Sequence, residues 1–384
     1  MFDLYPYAPP SVWMRLRPDA VAIWSDEEVK RRLSWYYMVM RDEAPARFMI
    51  AKYLEAPDPP YSLDTDELWR LHDKLAVEHR KLWMEARRGS LSLHDDFFRS
   101  KPEYSYLSVK IELAQRIVRK CHFCERRCMV NRVSGPGFCG VDAHTYVHSW
   151  FHHLGEEAPL VPSGTIFYGG CNFRCVYCQN YDISQEAPRA GSIVDARRLA
   201  QIQQELRIHG ARNINHVGGD PTPNIHTILE SFEYLDVNTP QLWNSNMYMT
   251  PEAMKLLADV IDIWLPDFKY GNDKCAKRLS AAPYYVEVVV RNLVIAVDNG
   301  DMIIRHLVLP GHVQCCSKPV MRLIASRLPV DRILVNIMDQ YRPEYLVARY
   351  PDRWPEIARR PRASELREVY EYARSLGILF EPLS

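Results

Sequence analysis

The sequence has no excess of charge: 48 lysines and arginines balance 48 aspartates and glutamates over 384 residues. No long block of like charge breaks that balance, which argues against a nucleic-acid-binding arm or an acidic tail. The basic clusters Arg126-Arg127 and Arg359-Arg360-Pro361-Arg362 read as solvated surface. No apolar run approaches the length of a bilayer span. The opening Met1-Phe-Asp-Leu-Tyr-Pro-Tyr lacks the basic and apolar regions of a secretory signal. Neither a nucleic-acid nor a membrane partner is expected. The ten cysteines are clustered in short spacings rather than scattered as disulfide partners, which favours metal binding in a reducing cytoplasm. With 47% hydrophobic residues, the chain can bury a substantial core, and its length suits one large domain with an extension, or two domains.

The most informative stretch is Gly164-Thr-Ile-Phe-Tyr-Gly-Gly-Cys171-Asn-Phe-Arg-Cys175-Val-Tyr-Cys178. A short β-branched and aromatic run predicts a buried strand that ends at Gly169-Gly170. Three cysteines follow, separated by three and then two residues. Three thiolates on one tight loop can hold three irons of a cubane cluster and leave the fourth iron open to a small molecule. Structural zinc is the competing reading, but it takes four protein ligands, and no histidine or fourth cysteine lies within the next turn. The spacing resembles that of the radical S-adenosylmethionine (SAM) superfamily. In that likeness Tyr177 is the aromatic set against the adenine.

Residues 1–110 are expected to form a helical extension without a catalytic motif, packing over the main domain or contacting a partner. Ser25-Asp-Glu-Glu28 reads as a capping box opening a helix with Val29, Leu33, Tyr36 and Tyr37 at helical spacing. Ala56-Pro-Asp-Pro-Pro60 interrupts the chain. A second helix then carries Leu68, Leu71, Leu75, His79 and Leu82 on one face, and His72 and His79 read as ordinary core or surface histidines.

Residues 111–155 are a second cysteine segment, with Cys121, Cys124, Cys128 and Cys139. Four cysteines in so short a span make a complete tetrahedral set, suited equally to structural zinc and to an auxiliary iron–sulfur cluster. From residue 156 to 384, apolar runs alternate with helical stretches in the pattern of βα units and a parallel sheet of six or seven strands. The helix after the cysteine loop is expected over Ile193 to about Gly210. The turn Gly218-Gly219-Asp220 follows a strand, where ligands of parallel α/β folds bind; its glycines permit close backbone approach and Asp220 can pair with an ammonium. Asn244 and Asn246 close the next strand. Asp267 and Lys269 share one face at the end of another, as ligand contacts or as a buried ion pair. Asp339, Gln340 and Tyr341 stand at the end of the last strand. For Cys275, Cys315 and Cys316, hydrogen donation, substrate anchoring, metal binding and simple packing all stay open.

From Cys121 onward the chain resembles the radical SAM proteins related to pyruvate formate-lyase activating enzyme. The likeness rests on the two cysteine clusters, Val217-Gly-Gly-Asp-Pro-Thr-Pro, Trp243-Asn-Ser-Asn, Leu265-Pro-Asp-Phe-Lys, Arg305-His-Leu-Val-Leu-Pro-Gly-His and Asn336-Ile-Met-Asp-Gln-Tyr. The resemblance implies an α/β fold with a partial (β/α)6 barrel. It implies a 4Fe–4S cluster on Cys171, Cys175 and Cys178, and SAM held by Tyr177, Gly218, Gly219, Asp220, Asn244, Asn246, Asp267 and Lys269. The family places an acid where Asn244 stands and pairs it with the Asp-x-Lys in a monovalent-cation site, so this chain has one charge fewer there. The resemblance further implies an oxidoreductase that takes one electron from a donor such as ferredoxin or flavodoxin, cleaves SAM reductively to a 5′-deoxyadenosyl radical and abstracts hydrogen from a substrate. That substrate is a glycine of a partner enzyme, if the chain is an activase, or a small molecule or RNA. A non-catalytic iron–sulfur or zinc scaffold is the remaining reading, and the intact motifs argue against it.

Overall fold

The computed structural model describes residues 6–384. Part of the opening segment read for a secretory signal therefore lies outside the described residues. Eight strands form one sheet: β1 (Thr145–His153), β2 (Ser163–Tyr168), β3 (Ser192–Val194), β4 (Asn213–Gly218), β5 (Gln241–Ser245), β6 (Ile263–Pro266), β7 (Asp301–Leu307) and β8 (Leu334–Met338), in the order β3-β1-β2-β4-β5-β6-β7-β8. β2 and β4 to β8 pair in parallel, with helices in the crossovers, which makes the expected partial (β/α)6 barrel. β4, β5 and β6 are buried almost throughout, as a parallel sheet covered on its faces requires.

The strand edge differs from the sequence expectation. β1, inside the segment read only as a metal-binding unit, pairs antiparallel with both β2 and β3 and extends the barrel sheet. Its run Thr-Tyr-Val-His-Ser-Trp-Phe is rich in strand-forming residues and follows directly on the cysteine segment. β3 takes Ile193 and Val194 out of the expected helix, which begins only at Ala196, where Asp195 caps it. Asp26, not Ser25, caps the first predicted helix: its carboxylate accepts from the amides of Glu28 and Val29, while the Ser25 hydroxyl donates to the Ala22 carbonyl. The second predicted helix forms over Thr65–Arg87 behind an Asp64–Glu67 capping box. The helix Tyr106–Arg119 runs across residue 110 and joins the extension to the second cysteine segment without a break.

The extension packs on the barrel through buried charge as well as apolar contact. Asp259, at the end of the helix Pro251–Ala258, accepts from the Tyr106 hydroxyl at 2.7 Å and from Lys110 Nζ at 3.0 Å. Arg47 lies 3.5 Å and His79 3.6 Å away, all of them buried. His72 accepts its place in the same cluster through Tyr106 and Lys110. Burial and the Lys110 ammonium push His72 down to about 4, and burial does the same to His79, so both are neutral core histidines. Among the described residues no single helix is long and apolar enough to cross a membrane. None of the ten cysteines forms a disulfide.

Candidate functional site

The carboxyl ends of the parallel strands open into a cavity of about 390 Å³. All eleven residues expected at the central site line it: Cys171, Cys175, Tyr177, Cys178, Gly218, Gly219, Asp220, Asn244, Asn246, Asp267 and Lys269. This follows from strand order. β2 delivers the cysteine loop, β4 the Gly-Gly-Asp turn, β5 the asparagines and β6 the Asp-x-Lys, so consecutive neighbours place their ends side by side.

The cysteine loop is held by backbone contacts from several directions. The amide of Gly170 donates to Ile183, that of Asp220 to Gly170, and those of Arg174 and Val176 to Ser280 and Leu279. The glycines of the next turn have a different use from the one read in the sequence. A Cβ on Gly218 would stand 2.2 Å from the Tyr168 backbone, and one on Gly219 would stand 2.2 Å from the Gly170 carbonyl. They permit β4 to close against the cysteine loop, which brings Asp220 to the thiols.

Each thiol of the loop has a polar partner. Cys175 Sγ is 2.9 Å from the Ser280 hydroxyl, Cys178 Sγ is 3.2 Å from the Ser184 hydroxyl, and Cys171 Sγ accepts from the Phe173 amide at 3.3 Å. Burial pushes all three thiols up, Cys175 to about 12. Such thiols become thiolates only beside a cation, and three of them with no further cysteine on the loop suit a metal cluster.

Asp220 and Asn244 carry complementary unmet demands. Both Asp220 oxygens accept backbone amides, from Thr222 and Asn246 at 3.0 Å each, and burial pushes the carboxyl up to about 6. Among the described residues no lysine, arginine or histidine pairs with it, and only backbone amides meet its oxygens. The buried Nδ2 of Asn244 donates to nothing. An amino acid's ammonium answers the first residue and its carboxylate the second.

One residue at the centre of the site has no counterpart in the sequence expectations. Arg305, on β7, donates to Asp267 Oδ1 at 2.9 Å and to Asn244 Oδ1, and lies 3.6 Å from Glu156. Lys269 Nζ is 2.6 Å from Asp267 Oδ2, so the anticipated ion pair forms and faces the cavity. Burial would raise Asp267, but Arg305 and Lys269 outweigh it and hold the carboxyl below its ordinary value. A guanidinium thus stands between Asn244 and Asp267, where the resemblance placed a monovalent cation. The signal was a lone arginine in the otherwise apolar run Met302-Ile-Ile-Arg305. Tyr177 is nearly buried, with its hydroxyl 2.6 Å from that of Tyr270 and its ring edge-on to Tyr341. Gln340 lines the cavity, whereas Tyr341 turns its hydroxyl to the Ile357 carbonyl.

Comparison with known proteins agrees with this geometry. Residues 165–324 match the Radical SAM superfamily model. The chain carries a radical SAM domain. It also belongs to the same family as an uncharacterized protein of Methanocaldococcus jannaschii, 41% identical over 355 residues that cover 90% of this chain and 98% of the relative. Among solved structures it is similar to a radical SAM methyltransferase from Sphaerobacter thermophilus, with 14% identity and a TM-score of 0.41 over 57% of this chain and 65% of that one. It is also similar to Streptococcus suis SuiB bound to precursor peptide SuiA, with 14% identity and a TM-score of 0.38 over 55% and 46%. The chain therefore spans less than two-thirds of either solved chain. A radical SAM domain implies a 4Fe–4S cluster and SAM, and the thiols, Asp220 and Asn244 have the chemistry that those groups require.

The second cysteine segment lies directly against this domain. Cys128 Sγ points at the Cys121 carbonyl at 4.0 Å, and Cys128 and Cys139 both face Gly137. Arg126 Nε donates to the Asn172 carbonyl at 2.9 Å, and the amide of Glu125 to Tyr248 at 3.2 Å.

Proposed function

We propose that Cys171, Cys175 and Cys178 hold a 4Fe–4S cluster and that Asp220 and Asn244 receive the ammonium and carboxylate of SAM. The observation that carries this reading is the pair of unmet demands, a buried carboxylate without a cation and a buried amide without an acceptor, beside three thiols on one loop. When bound, the cluster and SAM supply a 5′-deoxyadenosyl radical for hydrogen abstraction, the chemistry that belongs to the cofactors. The chain's own part is positional. Ser280, Ser184 and the Phe173 amide orient the sulfurs. Arg305 keeps Asp267 and Glu156 ionised, and Tyr177 closes one wall. Gly218 and Gly219 keep the cluster loop and the SAM turn in contact.

Activation of a glycyl-radical enzyme, with reduction by a ferredoxin or flavodoxin, is the finer reading and rests on the sequence resemblance. A second metal group on Cys121, Cys124, Cys128 and Cys139 completes it. The test is anaerobic reconstitution followed by reduction with SAM present. 5′-Deoxyadenosine and methionine are expected, and Cys171→Ala abolishes both. A fully cluster-loaded protein that never cleaves SAM would overturn the reading. Glycyl-radical EPR on a candidate partner protein from the same genome tests the activase role.

A further inference from the structure

A second constellation of ligand atoms lies outside the cavity. Cys275, in the first turn of the helix Asp273–Ser280, meets His312, Cys315 and Cys316 of the loop after β7, and their four ligand atoms all fall within 4.8 Å of one another. His312 Nδ1 is 3.3 Å from Cys315 Sγ and 3.6 Å from the sulfurs of Cys275 and Cys316. Cys315 Sγ is 4.0 Å from Cys275 Sγ and 3.9 Å from Cys316 Sγ. A zinc ion with bonds of about 2.3 Å to sulfur and about 2.0 Å to nitrogen in a tetrahedron demands sulfur–sulfur edges of about 3.8 Å and sulfur–nitrogen edges of about 3.5 Å. Every measured edge lies within a few tenths of an ångström of these values.

We propose that Cys275, His312, Cys315 and Cys316 form a closed Cys3His zinc site. The surroundings are those of ligands rather than of packed thiols. Asn272, which caps the helix, points Nδ2 at Cys275 Sγ at 3.3 Å and at Cys316 Sγ at 3.7 Å, and N–H donors stabilise zinc-bound thiolates. Glu356, which pairs with Arg278, places Oε1 3.7 Å from His312 Nε2, the ring nitrogen left free when Nδ1 binds metal. The chain also makes room: a Cβ on Gly271 would stand 2.7 Å from the Cys316 carbonyl.

The site joins two loops that frame the radical SAM cavity. One descends from Asp267 and Lys269, just past β6, and the other follows Arg305 on β7. The helix that begins at this site ends at Ser280, the residue touching Cys175. Zinc here staples the support of the cysteine loop and takes no part in electron transfer.

The proposal does not depend on SAM cleavage, and metal content tests it directly. Protein purified from zinc-supplemented, anaerobically grown cells is expected to keep one zinc that survives Cys171/Cys175/Cys178→Ala and is lost in Cys275→Ser/Cys315→Ser. Should the double variant misfold, cobalt(II) titration of a Cys121→Ser/Cys124→Ser/Cys171→Ser/Cys175→Ser chain, in which the other two thiol sets are broken, supplies the second reading. Intense tetrahedral d–d bands with sulfur-to-cobalt charge transfer, discharged by zinc, are expected. Zinc content identical in wild type and double variant would overturn the proposal. So would iron in place of zinc at these residues, a Cys275–Cys315 disulfide in the anaerobic protein, or weak octahedral cobalt bands.

Discussion

The backbone amide of Cys171 donates to the carbonyl of Cys139 at 3.2 Å, so the first cysteine of the radical SAM loop is hydrogen-bonded to the last cysteine of the second cluster. The two cysteine segments are therefore one mechanical unit, although they lie on either side of β1 and β2 in the chain.

That contact leads to the first prediction. Among the described residues the set gathered to the span of a single ion is Cys275, His312, Cys315 and Cys316, while the thiols of Cys121, Cys124, Cys128 and Cys139 are spread more widely. A cluster spans more than one zinc ion does. A Cys171/Cys175/Cys178→Ala variant in a Cys275→Ser/Cys315→Ser background is expected to retain about four irons after reconstitution. Iron and zinc analysis with EPR reads this, and one zinc without iron would assign the second segment a structural ion instead.

Arg305 should matter to folding before it matters to turnover. Arg305→Met leaves Asp267 with Lys269 alone and takes the guanidinium from buried Glu156 and from Asn244, a change that costs up to about 3–5 kcal/mol. Arg305→Lys keeps the charge but not the fork that reaches Asp267 and Asn244 together, and should lose less. Urea unfolding of the cofactor-free protein at pH 7.5 measures both, and equal stability of wild type and the Met variant would refute the account.

Asp220 is predicted to trade stability for binding. Its carboxyl is pushed up from 3.8 to about 6, so the folded state prefers it neutral. That preference is fully present below pH 3.8 and is lost as pH rises through 6. Relative to Asp220→Asn, the wild-type cofactor-free protein should therefore lose up to about 3 kcal/mol between pH 4 and pH 7.5. The same variant should bind SAM more weakly, because an amide cannot neutralise an ammonium. Denaturant midpoints at the two pH values and SAM titration calorimetry test the two halves separately.

The junction with the extension carries a similar pH dependence. Asp301 accepts from the Tyr36 amide at 2.8 Å, and burial pushes its carboxyl up to about 7. Its contribution is full below about pH 4 and vanishes as pH rises through 7. Relative to Asp301→Asn, which keeps the acceptor, the wild type should lose up to about 4 kcal/mol between pH 4 and 8. A pH series of thermal melts on both proteins gives the slope, and parallel curves would contradict it.

Lys110→Met tests how the extension is held. It removes a buried partner of Asp259 and should destabilise the protein by about 3 kcal/mol, and Asp259→Asn should lose more, because Arg47 and Tyr106 lean on the same carboxylate. A double-mutant cycle in denaturant resolves the coupling.

Much of this site was legible without coordinates because its parts are contiguous. The Cys171–Cys178 spacing, the Gly218–Asp220 turn and the Asp267-x-Lys269 pair each sit at the end of one strand, and a parallel sheet must bring strand ends together. The six parallel strands follow from apolar runs whose both-sided burial leaves a continuous hydrophobic signal. β1 was not read because cysteines dominate its neighbourhood and its pairing is with β2 and β3, at a distance along the chain that no local pattern encodes.

What the sequence by itself determined is the local chemistry: which residues could bind iron, an ammonium or a second metal, and on which strand each stands. What only the tertiary structure decided is which of them meet. Arg305 became the hub of Asp267, Asn244 and Glu156 through the register of β7 against its neighbours. Cys275 came within ligand distance of His312, Cys315 and Cys316 because two crossover loops end on the same rim of the barrel. Spacing along a chain fixes distances only within a turn or two; beyond that, strand order and side-chain direction set them, and both belong to the packed sheet.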